Sequence, residues 1–182
     1  MRAAARRIAL AVVLLAWPIA ARAQDEITAG AKNTIGPCRQ LAVNVWGVSY
    51  HVNRNTNYDE QNWGAGVTCY GRPDLKLLGR DENNRVFIEG DLLINSWHGL
   101  VFPLSLGVDY TVKSFDACRL SFFGALTVAY YQLPDRGISE VRWGPLPGFA
   151  LGCGRIRTNF TLVPSPSKQL LWAVVASLSV LF

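Results

Sequence analysis

The segment QLLWAVVASLSVLF, Gln169–Phe182, decides the fold because its side chains alternate with a period of two. Counting back from Phe182, every second residue is apolar, whereas the residues between them include Ser177 and Ser179. This period is typical of a β-strand with one face suited to hydrocarbon. The run is too short for a transmembrane helix, which needs about 20 apolar residues. We therefore predict a membrane-facing strand ending at Phe182, and hence a closed barrel, because lipid cannot satisfy an open sheet edge.

The first 23 residues have the pattern of a secretion signal. Arginines precede an apolar stretch, Ile8–Ala20, and Ala21–Ala23 fits an A-x-A cleavage site. The whole chain carries a net charge of +5, from 18 basic and 13 acidic residues. Four of the arginines belong to the signal, which leaves 14 basic residues against 13 acidic ones. A nearly neutral mature chain without a basic stripe excludes a nucleic-acid partner, and the signal excludes a cytosolic protein.

The mature chain fits one domain of alternating strands. After cleavage before Gln24 we predict a periplasmic lead-in at 24–40 and a barrel at 41–182. The fold class is all-β: an eight-stranded antiparallel up-and-down transmembrane β-barrel of the outer-membrane type, with little room for a channel. We expect a monomer in the bacterial outer membrane. The predicted strands are Leu41–Tyr50, Asn62–Tyr70, Arg85–Ile94, Leu100–Tyr110, Arg119–Tyr130, Leu146–Cys153, Arg155–Val163 and Gln169–Phe182.

The four cysteines fall at one rim if the N-terminus lies in the periplasm and the strands run alternately up and down. An even number of cysteines in an oxidising compartment predicts two disulfides, with three possible pairings. Buried free thiols are the alternative. No close cysteine pair or nearby histidine indicates a metal site, and no cofactor is predicted. These cysteines are Cys38, Cys69, Cys118 and Cys153.

Alternation also predicts what fills the barrel. We expect Arg155 or Arg157 to pair inside with an acid, because buried charges persist only when paired. The acids that face inward are Glu89, Asp91 and Asp109. Above this charged layer the inward residues are small or apolar and predict a cavity for a hydrocarbon chain, with a fully packed interior as the alternative. They are Leu93, Val101, Gly107, Phe123 and Ala125.

The outer rim carries the groups of an acyl-transfer site. His51 ends the first predicted strand and Asn95-Ser96 ends the third, so all three converge there. Acyl transfer needs a hydroxyl deprotonated as it attacks an ester, and imidazole is suited to take that proton. On their own, a loop histidine and a loop serine are more often solvated bystanders.

Several short stretches carry a resemblance to a known family. These are Trp46–His51, Asn57–Gly66, Asn95-Ser96-Trp97, Pro145-Leu146-Pro147 and Gly152–Pro166. Together they resemble the outer-membrane lipid A palmitoyltransferases across most of the mature chain. The resemblance implies transfer of a palmitoyl chain from the sn-1 position of a phospholipid to a hydroxyacyl chain of lipid A, so outer-membrane phospholipid and lipid A would be the partners.

The resemblance also assigns residue roles. His51 is the prospective base and Ser96 the hydroxyl at the site. Gly107 falls near the residue that limits acyl length. The remaining substrate-binding residues are Tyr58 and Trp63, in the second strand's opening element, and Pro145 and Pro147, which would interrupt strand six and open a lateral route.

One departure from the family concerns the residue before the serine. The family has an acid there, whereas this chain has Asn95, and a neutral carboxamide can orient a histidinium but contributes far less to stabilising its charge. Asp59 or Glu60 could substitute. Two alternatives therefore stay open: a non-catalytic barrel with a structural or lipid-binding role, and an outer-membrane esterase or phospholipase that transfers the acyl chain to water.

Overall fold

The computed structural model describes residues 38–51, 59–71, 84–164 and 172–182. The predicted signal, most of the lead-in and Tyr58 lie outside these ranges. A 3-10 turn spans Pro134–Arg136. The described strands are β1 Gln40–His51, β2 Gln61–Asn62, β3 Gly64–Gly71, β4 Arg85–Ile94, β5 Leu100–Phe115, β6 Cys118–Leu133, β7 Ile138–Cys153, β8 Ile156–Pro164 and β9 Trp172–Leu181.

The strands form one closed antiparallel sheet. β1 pairs with β2 and β3 on one side and with β9 on the other, where Ala42 lies opposite Leu181. From β3 to β9 each strand pairs with the next along the chain. β2 and β3 are two parts of one barrel strand, separated by Trp63. The prediction of an all-β, eight-stranded antiparallel up-and-down barrel is confirmed.

No helix among the described residues is long and apolar enough to cross a membrane.

The barrel has two rims that we name by their residues. The cysteine rim is the end that carries Cys38, Cys69, Cys118 and Cys153, which form the disulfides Cys38–Cys69 and Cys118–Cys153. The prediction of two disulfides is confirmed, and the free-thiol alternative is wrong. The histidine rim is the opposite end, where β1 ends at His51 and Ser96 follows β4.

Side-chain alternation sorts the residues as predicted. On β5, Leu104 and Leu106 are exposed on the outside, whereas Ser105 and Asp109 are buried inside. In β1 a bulge between Asn44 and Trp46 shifts the alternation by one residue. On β5 the polar side chains therefore point into the barrel and the large apolar ones point outward.

A charged layer crosses the interior close to the cysteine rim. Arg157 pairs with Asp109, which confirms the predicted ion pair, and Arg85 binds the same carboxylate. We call Arg85, Asp109 and Arg157 the charged plug. Arg155 was expected inside, but it lies exposed in the turn between β7 and β8, because β8 begins one residue later than predicted.

A network of polar side chains occupies the middle of the barrel. Asn44 donates to Asp91 at 2.7 Å and to Thr68 at 3.1 Å. Its carbonyl oxygen accepts from Ser179 at 2.7 Å, and Asn159 donates to Ser179 at 3.0 Å. These contacts join β1, β3, β4, β8 and β9, so the lumen is bridged by hydrogen bonds.

Among the described residues, aromatic rings fill the space around Gly107, where the hydrocarbon cavity was expected. Phe87 packs against Tyr70 and Phe123, with ring centroids 6.0 and 6.3 Å apart. A Cβ placed on Gly107 would lie 2.5 Å from the Phe87 ring. The cavity beside these rings measures only about 40 Å³, well below the ~150 Å³ of an engineered cavity that binds benzene. Gly107 is therefore covered by a ring.

Strand six of the prediction, Leu146–Cys153, is too short. The corresponding strand β7 begins at Ile138 and pairs with β6 through Pro145 and Pro147. Prolines two residues apart direct their missing N–H groups toward the same neighbour. The ladder to β6 continues past them, whereas among the described residues the pairing with β8 ends at Gly148, opposite Thr161. The two prolines thus interrupt the ladder between β7 and β8, whereas the ladder between β7 and β6 is continuous.

The strands β5 and β6 also extend beyond their predicted ends. Their paired ends, Phe115 and Cys118, lie at the cysteine rim.

Candidate functional site at the histidine rim

Ser96 lies in a small polar cluster directly after β4. Its hydroxyl is 3.3 Å from the hydroxyl of Ser49 on β1. The amide of Asn62 on β2 donates to Ser96 Oγ at 3.5 Å and to the carbonyl of Ile94 at 3.1 Å. All three polar residues are buried. The sequence analysis missed Ser49 and Asn62, although Ser49 lies two residues before His51 and so shares its face of β1.

His51 is the last residue of β1 and pairs in register with Ala173 of β9. Its side chain is half-buried, and the carboxylate of Glu60 is close enough to interact electrostatically with the imidazole. Glu60 is held there because its carbonyl accepts from the backbone N–H of Ser49 at 2.8 Å. The hydrogen bonds of Ser96 Oγ go to Ser49 and Asn62. His51 and Ser96 thus share a rim, but no hydrogen bond joins them among the described residues.

Asn95 uses its carboxamide to build the turn between β4 and β5. Its side-chain oxygen accepts from the backbone N–H groups of Trp97 and Gly99, both at 2.9 Å. Its amide group donates to the carbonyl of Gln132 on β6 at 2.8 Å. The carboxamide is therefore directed at the backbone, and not at His51.

A second histidine stands at the same rim. His98 adopts a left-handed backbone conformation, φ 60°, in the β4–β5 turn. Its Nδ1 lies 3.7 Å from Asp59 Oδ2, and both side chains are largely open to solvent. The backbone N–H of Asp59 also donates to the carbonyl of Ser96 at 3.3 Å. Asp59, one of the two acids that could replace the family's carboxylate, therefore faces His98.

The backbone carbonyl of Trp63 accepts from the N–H of Ile94 beside this cluster at 2.8 Å, whereas Gly107, Pro145 and Pro147 lie apart from it. Trp63 is exposed between β2 and β3, and its indole N–H donates to Gln61 at 3.2 Å. Gly107 lies inside the barrel beneath Phe87. Pro145 and Pro147 are exposed on the outer side of β7. Of the predicted site residues in the described ranges, His51, Trp63, Asn95 and Ser96 thus lie at the histidine rim.

The chemistry open to the cluster is limited by its hydrogen bonds. A nucleophilic hydroxyl needs a base within about 2.6–3.2 Å, whereas the neighbours of Ser96 are a hydroxyl and a carboxamide. Neither takes up a proton near neutral pH. Among the described residues there is also no group of three or more side chains that could hold a metal ion. The described contacts of Ser96 are those of a buried polar cluster.

No protein-family model matches this sequence, and no curated protein matches it significantly. The fold is similar to the N-terminal β-barrel domain of Pseudomonas aeruginosa OprF, with a TM-score of 0.48, 9% identity, and coverage of 79% of this chain and 97% of that one. It is also similar to Neisserial surface protein A (NspA), with a TM-score of 0.46, 9% identity, and coverage of 78% and 94%. Neither likeness bears on activity.

Proposed function

We propose that this chain is a non-catalytic outer-membrane β-barrel: a sealed, monomeric structural barrel that presents its histidine rim at the cell surface. The observation that carries this proposal is the filled interior. The charged plug crosses the lumen, the polar network around Asn44 bridges it, and the cavity beside the ring of Phe87 measures only about 40 Å³. The described part of this lumen supports neither an aqueous channel through the barrel nor an acyl chain beside the Phe87 ring.

The outer surface supports the membrane location. Large apolar side chains are exposed on the strands, including Leu106 and Val141, each 65% exposed, and Phe122, 55% exposed. Exposed apolar area of this extent is unfavourable in water and favourable in hydrocarbon. A closed antiparallel barrel also satisfies its own backbone, as a bilayer requires. With the predicted secretion signal, these features fit the outer membrane.

The second candidate is the lipid A acyltransferase that the family resemblance implies. One specific observation favours it: the β7–β8 ladder ends at Pro145–Pro147, where the resemblance expects a lateral route. Transfer would further need His51 to reach Ser96 and the ring of Phe87 to leave the space above Gly107. This candidate therefore requires rearrangements that the sealed barrel does not.

Lipid A mass spectra test both candidates. We would compare cells that lack the gene with cells that express the wild-type chain, and we expect identical lipid A. A gain of one acyl chain would overturn the non-catalytic proposal in favour of transfer, and the loss of one would overturn it in favour of hydrolysis.

A matched pair of variants tests whether any change in lipid A acylation depends on His51. His51→Asn removes the prospective base, whereas His98→Asn removes the exposed histidine of the same rim and tolerates its left-handed conformation. Acyl transfer through the proposed site would disappear in the first variant and persist in the second.

A further inference from the structure

A second cavity opens at the cysteine rim, at the opposite end from the polar cluster. It measures about 190 Å³ and lies against the Cys118–Cys153 disulfide. Three arginines line it: Arg85, Arg119 and Arg157. An engineered cavity of about 150 Å³ holds a benzene molecule. This cavity is therefore large enough for a tetrahedral oxyanion.

The charges of the described residues around this cavity do not balance. Asp109 is the carboxylate bound by Arg85 and Arg157, and its two oxygens accept all of their ion-pair contacts. With Arg119, three positive groups face one buried negative group, an excess of two charges. Asp116 also lines the cavity, but it is exposed in the β5–β6 turn and offsets at most one of them. Within the described ranges a net positive charge remains at the cavity, and buried charge is costly unless it is paired.

The guanidinium groups that line the cavity also have N–H groups that these contacts do not use. A guanidinium has five N–H groups. Arg85 uses three, toward Asp109 and Gln40, and Arg157 uses three, toward Asp109 and Asn159. On each of the two side chains, two N–H groups make no hydrogen bond with a described residue. Arg119, only partly exposed, makes no hydrogen bond or ion pair with the described residues. The cavity thus holds unused donors of the kind that oxyanions accept from.

We propose that the cavity at the cysteine rim binds a small oxyanion of the phosphate class, with Arg119 as its main ligand and the spare N–H groups of Arg85 and Arg157 completing the site. Arginine is suited to this role because its planar fork matches the oxygens of phosphate. The anion neutralises the excess charge next to the charged plug. This site is separate from the histidine rim and does not depend on whether the barrel is catalytic.

The test is a titration of the mature protein, folded in a maltoside detergent, with inorganic phosphate at constant ionic strength by calorimetry. We expect saturable binding that sodium chloride does not reproduce. Arg119→Gln should weaken it about tenfold or more, since a hydrogen bond to a charged group is lost. The matched control is Arg155→Gln, which removes the same charge from an exposed turn of the same rim and should change the affinity less than about twofold.

A short-chain phosphatidic acid, added below its micelle concentration, distinguishes the sources of the phosphate group. Competition with inorganic phosphate would indicate that a lipid headgroup also occupies the site, and no competition would indicate the free anion. Absence of saturable binding of either by the wild-type chain would overturn the proposal. Equal losses in Arg119→Gln and Arg155→Gln would overturn it too. If Arg119→Gln does not fold, Arg119→Lys replaces it, and we expect weakened binding because the fork is lost.

Discussion

Arg157 and Asp109 form a two-point ion pair across the inside of the barrel, with Nη1–Oδ2 at 2.8 Å and Nη2–Oδ1 at 3.2 Å. The residues lie on β8 and β5, which are not neighbours in the sheet. Arg85 on β4 reaches the same carboxylate, with Nη2–Oδ2 at 2.5 Å. One buried acid therefore connects opposite walls of the lumen through the charged plug.

Asp109→Asn should strongly destabilise the barrel. The substitution leaves the buried guanidinium groups of Arg85 and Arg157 without a negative partner, and breaking a buried pair in this way costs about 3–5 kcal/mol. The measurement is urea-induced unfolding in lipid vesicles, followed by tryptophan fluorescence. Asp116→Asn is the control, because it removes the same charge from an exposed turn. Equal unfolding midpoints for the two variants would show that the plug carries no stability.

Gly107→Ala should destabilise the barrel by about 1–3 kcal/mol, the usual cost of overpacking. The new Cβ would lie 2.5 Å from the Phe87 ring and 2.6 Å from the backbone carbonyl of Gly124, which cannot move freely. Gly124→Ala on the neighbouring strand meets nothing within 4 Å and should stay within about 0.5 kcal/mol. The same unfolding assay checks both. If Gly107→Ala left the free energy of unfolding unchanged, an open cavity would lie above this residue.

Asn95→Ala should cost about 1–3 kcal/mol of stability, because buried backbone groups lose their partners. The variant removes two acceptor contacts in the β4–β5 turn and one donor contact to Gln132. Gln61→Ala, an exposed carboxamide at the same rim, is the control, with an expected change within about 0.5 kcal/mol.

Asn95→Asp separates a structural role from a catalytic one. The variant restores the acid that the palmitoyltransferase resemblance expects. If Asn95 only builds the turn, lipid A mass spectra should show no added acyl chain in cells that express Asn95→Asp. If lipid A gained an acyl chain with Asn95→Asp but not with the wild-type chain, the rim would hold an acyl-transfer site that lacks only its carboxylate.

The double variant Cys118→Ala/Cys153→Ala should lower stability by roughly 3–4 kcal/mol, since the lost disulfide closes a loop of 35 residues. Folding into vesicles under reducing and oxidising conditions gives the measurement, with heat-modifiable mobility on gels as the control for barrel formation. Non-reducing peptide mapping of the wild-type chain should recover Cys38–Cys69 and Cys118–Cys153. A crossed pairing would contradict the register of β6 with β7.

The sequence predicts the barrel well because alternation is a local property. Arg85–Ile94 is predicted with the bounds that β4 has, and the inward position of Asp109 follows from the same count along β5. The rule fails where a strand is irregular. The bulge after Asn44 reverses the alternation in β1, and a bulge leaves no mark in hydropathy.

The candidate site depends on contacts that local patterns do not contain. Ser49 meets Ser96 across 47 residues because the registers of several strands bring them together. The filled interior likewise depends on the direction in which the Phe87 ring turns, which alternation does not specify. The sequence could therefore place His51 and Ser96 at one rim, but not determine whether they touch.

Ion conductance of the mature protein in planar bilayers tests the sealed interior most directly. A barrel closed by Arg85, Asp109 and Arg157 should give a baseline current indistinguishable from the protein-free bilayer, with the disulfides oxidised and the voltage moderate. Stable, stepwise ohmic conductance by the wild-type chain would contradict the sealed barrel.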